Sequence, residues 1–249
     1  MKRKHSRVHI LPTAIRETIP SELFQAEGGS KVALFVFAHP DDESFMSAGL
    51  IVRLRKEGWE VVVVCATRGE EGQIGDLPEG NRKRLGVIRE REFRQAAVVL
   101  GVDRCVLFPY RDMSLPRVDQ KKLTQEIFEI MREVRPSLVV TFDEYGLYGH
   151  PDHRAIHRVT THAFRLYSRE SGDVTLLYVT IPDSIARKMG GTFRGHDLHT
   201  IYIVDISSHW SKKYKALCCH RTQKKDLERY LGYNIQELFL YEFYRKTEK

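Results

Sequence analysis

Apolar runs alternate with amphipathic segments along most of this chain. Lys31 to Ala38 is almost continuously apolar, as a strand covered on both faces would be. Ser44 to Gly58 reads as a helix: Phe45, Leu50, Ile51 and Leu54 share a face, and Gly58 closes it. Glu60 to Ala66, with four valines in succession, is a second buried strand. Val87 to Leu100 is an amphipathic helix closed by Gly101, and Arg104 to Phe108 is a short strand. Asp119 to Val134 is a helix stopped by Pro136, Ser137 to Phe142 a strand, and Pro151 to Tyr167 a helix. Strands alternating with helices predict an α/β fold with a mostly parallel sheet and helices on both faces. After residue 170 the order changes. Val174 to Ile181, His199 to Asp205 and Phe239 to Arg245 read as strands, and Ser207 to Gln223 as a helix. These are expected to extend the sheet, antiparallel at its edge, within a single domain spanning residues 31–249. Residues 1–30 read as an N-terminal arm.

Composition changes this picture little. The chain has 249 residues, long enough to bury a substantial core without staples. Its net charge of +7 would favour an acidic partner, but part of the surplus sits in the terminal runs Met1 to His5 and Arg245 to Lys249. No stretch joins basic and aromatic residues as nucleic-acid recognition requires, so no nucleic-acid partner is expected. No apolar run has the ~18 residues of a membrane span, so no membrane partner and a cytoplasmic location are expected. The four cysteines form no CxxC pair, which gives no sign of a redox motif or a thiolate zinc site.

The chemistry concentrates where strands end. The first strand delivers His39, Pro40, Asp41, Asp42 and Glu43 in succession, and Tyr148 to Arg154 reads YGHPDHR. In an open α/β sheet, ligands bind beyond the carboxyl ends of the strands, so both clusters face one crevice. His39 and Asp42 are three apart, as are His150 and His153, and Pro151 suits the first helical position with His150 as N-cap. Two His and one carboxylate, with a position open to water, form a catalytic zinc pattern. The same set matches the facial triad of iron(II), so Fe2+ or another divalent metal stays open beside Zn2+. Asp41 is the adjacent candidate base. Tyr148 or a protonated His150 is the candidate charge stabiliser, with Asp152 as the acidic partner of His150. Arg68, in ATRGEEG after the second strand, is the candidate substrate clamp. His157 and His220 are left undecided between helix-face and supporting roles.

AHPDDE, TRGEEG and GHPDH in this order resemble the LmbE-like, or PIG-L, zinc-dependent N-acetylglucosaminyl deacetylases over about residues 31 to 167. The late stretch VDISSHWSKKYKALCCHRTQ is similar to a helix that members of this family carry. The resemblance implies a Rossmann-like fold, with His39, Asp42 and His153 as zinc ligands and Asp41 as general base. It implies His150, paired with Asp152, as charge stabiliser and Tyr148 as a carbonyl-polarising group, and it implies that Arg68 binds the sugar. The implied substrate is an N-acetylated amino sugar in a small molecule, and the family has a tendency to form homo-oligomers. The alternatives are an N-acyl amide of another kind, or a member that binds metal and sugar without turnover. The segments Gly72 to Arg84 and Ser184 to Asp197 are expected to line or cover the sugar site.

Overall fold

The computed structural model of the chain describes residues 30–247. The expected N-terminal arm therefore lies, but for Ser30, outside the described residues. One sheet contains β1 (Val32–Phe37), β2 (Glu60–Thr67), β3 (Arg104–Tyr110), β4 (Leu138–Phe142), β5 (Thr175–Thr180), β6 (Tyr202–Asp205) and β7 (Tyr241–Lys246). The order is β3-β2-β1-β4-β5-β7-β6. β1 to β5 run parallel, and β7 is antiparallel to both β5 and β6. The α/β architecture and the antiparallel extension are as expected. β1, β2 and β4 are buried throughout except at the first residues of β1 and β2, which is why their sequences are apolar runs without alternation.

The helices are α1 (Asp42–Met46), α2 (Ala48–Lys56), α3 (Leu85–Leu100), α4 (Gln120–Val134), α5 (Gly146–Gly149), α6 (Pro151–Ser171), α7 (Asp183–Met189), α8 (Trp210–Cys219), α9 (Lys224–Gly232) and α10 (Glu237–Leu240). α4 and α6 pack together on one face, and α2, α3 and α8 on the other. No helix among the described residues is long and apolar enough to cross a membrane.

The expected helix from Ser44 to Gly58 is two helices, broken at Ser47, whose φ of −142° is not helical. The break has a tertiary cause. The Glu242 carboxylate, from β7, accepts hydrogen bonds from the amides of Gly49 (2.8 Å) and Leu50 (2.9 Å), capping a new helix start. A side chain at Gly49 would collide with Ile206, so only glycine lets α2 approach this closely.

β1 is the switch point of the sheet. The chain leaves it toward β2 and β3, then returns to build β4 on its other side. The crevice beyond the carboxyl ends of β1 and β4 is where such a sheet holds a ligand. His39 follows β1 directly, and the turn carrying Tyr148 to His153 follows β4.

Candidate active site

Three side chains converge in this crevice. His39 Nδ1 lies 3.3 Å from His153 Nε2 and 3.6 Å from Asp42 Oδ2, and His153 Nε2 lies 3.4 Å from Asp42 Oδ1. Ligand atoms about 2.0–2.2 Å from a tetrahedral zinc ion stand about 3.3–3.6 Å apart, so the triangle has the dimensions of such a site. The ring tautomers agree. His39 turns its Nε2 to Asp112 Oδ1 (3.0 Å) and Asp152 Oδ2 (3.3 Å), which leaves Nδ1 as a lone pair facing the triangle. His153 turns Nδ1 to the carbonyl of Gly146 (3.4 Å) and stacks on Phe142 with ring centres 3.9 Å apart, which leaves Nε2 for the same point. Burial works against charge on Asp42, but the His153 and His39 imidazoles outweigh it and hold its carboxyl well below the usual range. The donor set and its orientation fit a divalent metal.

Asp41 sits beside the triangle with φ 112° and ψ −28°, a left-handed conformation that costs about 1–3 kcal/mol in a residue other than glycine. Burial pushes its carboxyl up to about 7, while the Arg89 guanidinium 3.2 Å away pulls the other way. Arg89 also donates to the carbonyls of Pro40 and Gly69 (2.7 Å to the latter). This explains the glycines of TRGEEG. A Cβ at Gly69 or at Gly72 would overlap the Arg89 guanidinium, and Gly69 has φ +65° besides. The loop is glycine-rich because it wraps an arginine belonging to α3.

Pro151 opens α6, and His150 is its N-cap, as expected. His150 Nδ1 accepts from the Asp152 amide at 3.2 Å. The ring proton is therefore on Nε2. Burial, then the neighbouring His153 and His39, push the His150 imidazole down to about 4, so it is neutral near pH 7. Among the described residues no ion pair joins the Asp152 carboxylate to the His150 ring, the pairing expected from the sequence. The Asp152 carboxylate is instead held by His39 and by the amides of Met113 (2.7 Å) and Leu115 (3.1 Å). We expect Asp152→Asn to weaken metal affinity about 10–100-fold in a chelator-competition titration. Unchanged affinity with reduced turnover would instead support the pairing with His150. Tyr148 is 39% exposed on the cavity wall, its ring edge-on to those of His150 and His153. Burial and the nearby carboxylates raise its phenol, which stays protonated as a donor.

These groups line one end of a cavity of about 810 Å³. Arg68 does not line it. Its Nε pairs with Glu90 at 2.9 Å on the outer side of α3, and its side chain is 41% exposed. Arg68, the expected clamp, is not among the residues lining this cavity, whereas Arg82, Arg89 and Arg229 are. Sequence reasoning missed Arg89 because it lies mid-helix, far from any motif, and missed Asp112 because a loop after β3 brings it in. We expect Arg68→Ala to stay within about twofold of wild-type turnover. Arg89→Met should lose about 10²-fold in kcat, since it removes the cationic neighbour of Asp41. Steady-state kinetics on both variants checks this. His157 bonds the Phe142 carbonyl (2.9 Å) and braces the end of β4. Gly72 and Arg82 line the cavity, as do Met189 to Phe193, although α7 occupies the first half of the second expected loop.

The GlcNAc-PI de-N-acetylase model, PIG-L, matches residues 34–164, more than half of the chain. The chain belongs to the PIG-L family. A PIG-L relative from Thermomonospora curvata, a 1D-myo-inositol 2-acetamido-2-deoxy-alpha-D-glucopyranoside deacetylase, is 34% identical over 76% of this chain and 80% of its own. Among solved structures, the N,N'-diacetylchitobiose deacetylase from Pyrococcus horikoshii superposes with a TM-score of 0.67 and 22% identity, covering 88% of this chain and 84% of that one. GalB, the 4-carboxy-2-hydroxymuconate hydratase from Pseudomonas putida KT2440, superposes equally well, with a TM-score of 0.68 and 21% identity over 88% and 96% of the two chains. The PIG-L fold thus hosts more than one reaction, and only the side chains can say which applies.

Proposed function

We propose that this protein is a zinc-dependent N-deacetylase that hydrolyses the acetamide of an N-acetylglucosaminyl small molecule to acetate and a free amine. The observation that carries this reading is the placement of Asp41, whose carboxylate lies 3.2 Å from the Arg89 guanidinium and adjoins a His39–Asp42–His153 triangle of zinc dimensions. A divalent ion held there supplies Lewis acidity to an amide carbonyl and acidifies a water molecule. Its charge also draws Asp41 toward the ionised form a base needs. Asp41 takes the proton of the attacking water on a carboxylate oxygen. His150 Nε2–H and the Tyr148 hydroxyl donate to the carbonyl oxygen as charge develops on it. The proton taken up by Asp41 passes to the leaving nitrogen as the C–N bond breaks.

The substrate class follows the curated relatives, and the cavity is large enough for a second ring beside the amino sugar. Acetate release by zinc-loaded protein tests the reading. The panel contains the N-acetylglucosaminyl derivatives of inositol and malate, diacetylchitobiose and free N-acetylglucosamine. Release from the inositol or another conjugate supports the proposal and ranks substrates. No release from any of them, with one zinc bound per chain, would replace it with a binding role or another amide substrate. Metal analysis of protein purified without added metal separates zinc from iron.

A further inference from the structure

The last residue of the AHPDDE stretch has a place in the site that a helix start alone does not require. Glu43 is fully buried. One of its oxygens, Oε2, accepts the backbone amide of Asp41 at 3.0 Å. The other, Oε1, accepts from Ser44 Oγ (2.6 Å) and from His220 Nε2 (2.9 Å). His220 comes from the far end of the chain, just past α8, and is 2% exposed. Its Nδ1 is buried with no hydrogen-bond partner among the described residues, so Nε2 and its link to Glu43 carry its polar contacts.

The segment holding His220 is itself pinned. The next residues, Thr222 and Gln223, are tied by Glu92 of α3, which accepts the Thr222 amide (3.0 Å) and hydroxyl (2.6 Å), and by Gln223 donating to the Gln73 carbonyl (3.0 Å). α3 also supplies Arg89, which holds Asp41 by its carboxylate and Pro40 by its carbonyl. Asp41 is thus gripped from two sides, at its side chain by Arg89 and at its backbone by Glu43. The backbone so held is the left-handed one, which an aspartate does not keep unaided.

We propose that Glu43 and His220 are positioning residues for Asp41. They fix its strained backbone so that the carboxylate faces the metal triangle. The inference rests on the reading of Asp41 as the base. Each half of the contact has a job. Glu43 bonds the amide, and His220 stops the buried Glu43 carboxylate from turning away or taking up water.

The test is a double-mutant cycle of His220→Phe and Asp41→Asn, singly and combined, with His220→Gln beside it. His220→Phe is expected to lower kcat about 10²-fold, with KM within about twofold and one metal bound per chain. His220→Gln keeps an N–H donor toward Glu43 Oε1 and should recover most of the loss. In the Asp41→Asn background, His220→Phe should cost less than about twofold, because the residue it positions is already disabled. An equal loss in both backgrounds, or His220→Phe alone within twofold of wild type, overturns the proposal. A measurement independent of turnover is hydrogen exchange at the Asp41 amide. Protection there should fall at least about tenfold in His220→Phe while the amides of β1 keep theirs. Unchanged protection would overturn the proposal even if no substrate is found, and faster exchange with no turnover would count against the deacetylase reading alone. If His220→Phe does not fold, Glu43→Gln enters the same cycle, with the same outcomes deciding.

Discussion

Asp41→Asn is expected to retain its metal and lose about 10²–10⁴-fold in turnover. The substitution is close to isosteric, so the contact with the Arg89 guanidinium, now 3.2 Å from the Asp41 carboxylate, keeps an oxygen acceptor. His39, Asp42 and His153, which form the triangle, are untouched. What is lost is the ability to take up a proton near pH 7. A carboxylate can accept the proton of water and return it to the leaving amine, which the asparagine amide cannot do. Metal content and single-turnover rates on the same preparation separate the two effects. Turnover within about tenfold of wild type in a metal-replete Asp41→Asn protein would remove the base from the mechanism.

Glu242→Ala is expected to destabilise the fold by about 3–5 kcal/mol, the usual cost of removing one partner from a buried ion pair. Glu242 is 3% exposed and Lys213 1% exposed, with Nζ and Oε1 2.8 Å apart. The same carboxylate caps α2 at Gly49 and Leu50 and accepts from the Tyr244 hydroxyl at 3.1 Å. Its loss leaves the Lys213 ammonium with Tyr230 but no carboxylate, and takes the acceptor from two helix-start amides. Burial works to lower the Lys213 ammonium, but Glu242 outweighs it and leaves it raised above its ordinary value. A raised lysine stabilises the fold fully below the unfolded-state pKa of about 10.4 and loses that contribution as pH rises through the folded value. The cost of Glu242→Ala should therefore be level between about pH 6 and 9 and shrink only in stronger alkali. Urea unfolding across that range measures it. A loss under about 1 kcal/mol would mean water replaces the carboxylate. Removing both charges in Lys213→Met with Glu242→Leu should recover much of the single-variant loss, as paired removal leaves no buried charge alone.

What could be read in advance divides along the range of the interactions. The parallel strands were legible because burial on both faces makes them apolar runs, and the convergence of His39, Asp42 and His153 because the two His-Pro-Asp clusters follow strands β1 and β4. The break at Ser47 was not, because the carboxylate that causes it lies in β7, almost two hundred positions later. α9 was not anticipated either; only Tyr230 within it is buried, so its charged sequence shows no broad apolar stripe. Arg89 was missed for a related reason. The glycines of the Arg68 motif accommodate Arg89, which comes from the next helix. His220, undecided in the sequence between a helix-face and a supporting role, is set against Glu43 by the fold.

The most direct test is the stoichiometry of products. Metal-loaded protein and an N-acetylglucosaminyl-inositol substrate are expected to yield acetate and primary amine in a one-to-one ratio. Chelation should abolish both, and zinc should restore both. Amine without acetate, acetate without amine, or turnover indifferent to the chelator would contradict a metal-dependent deacetylase.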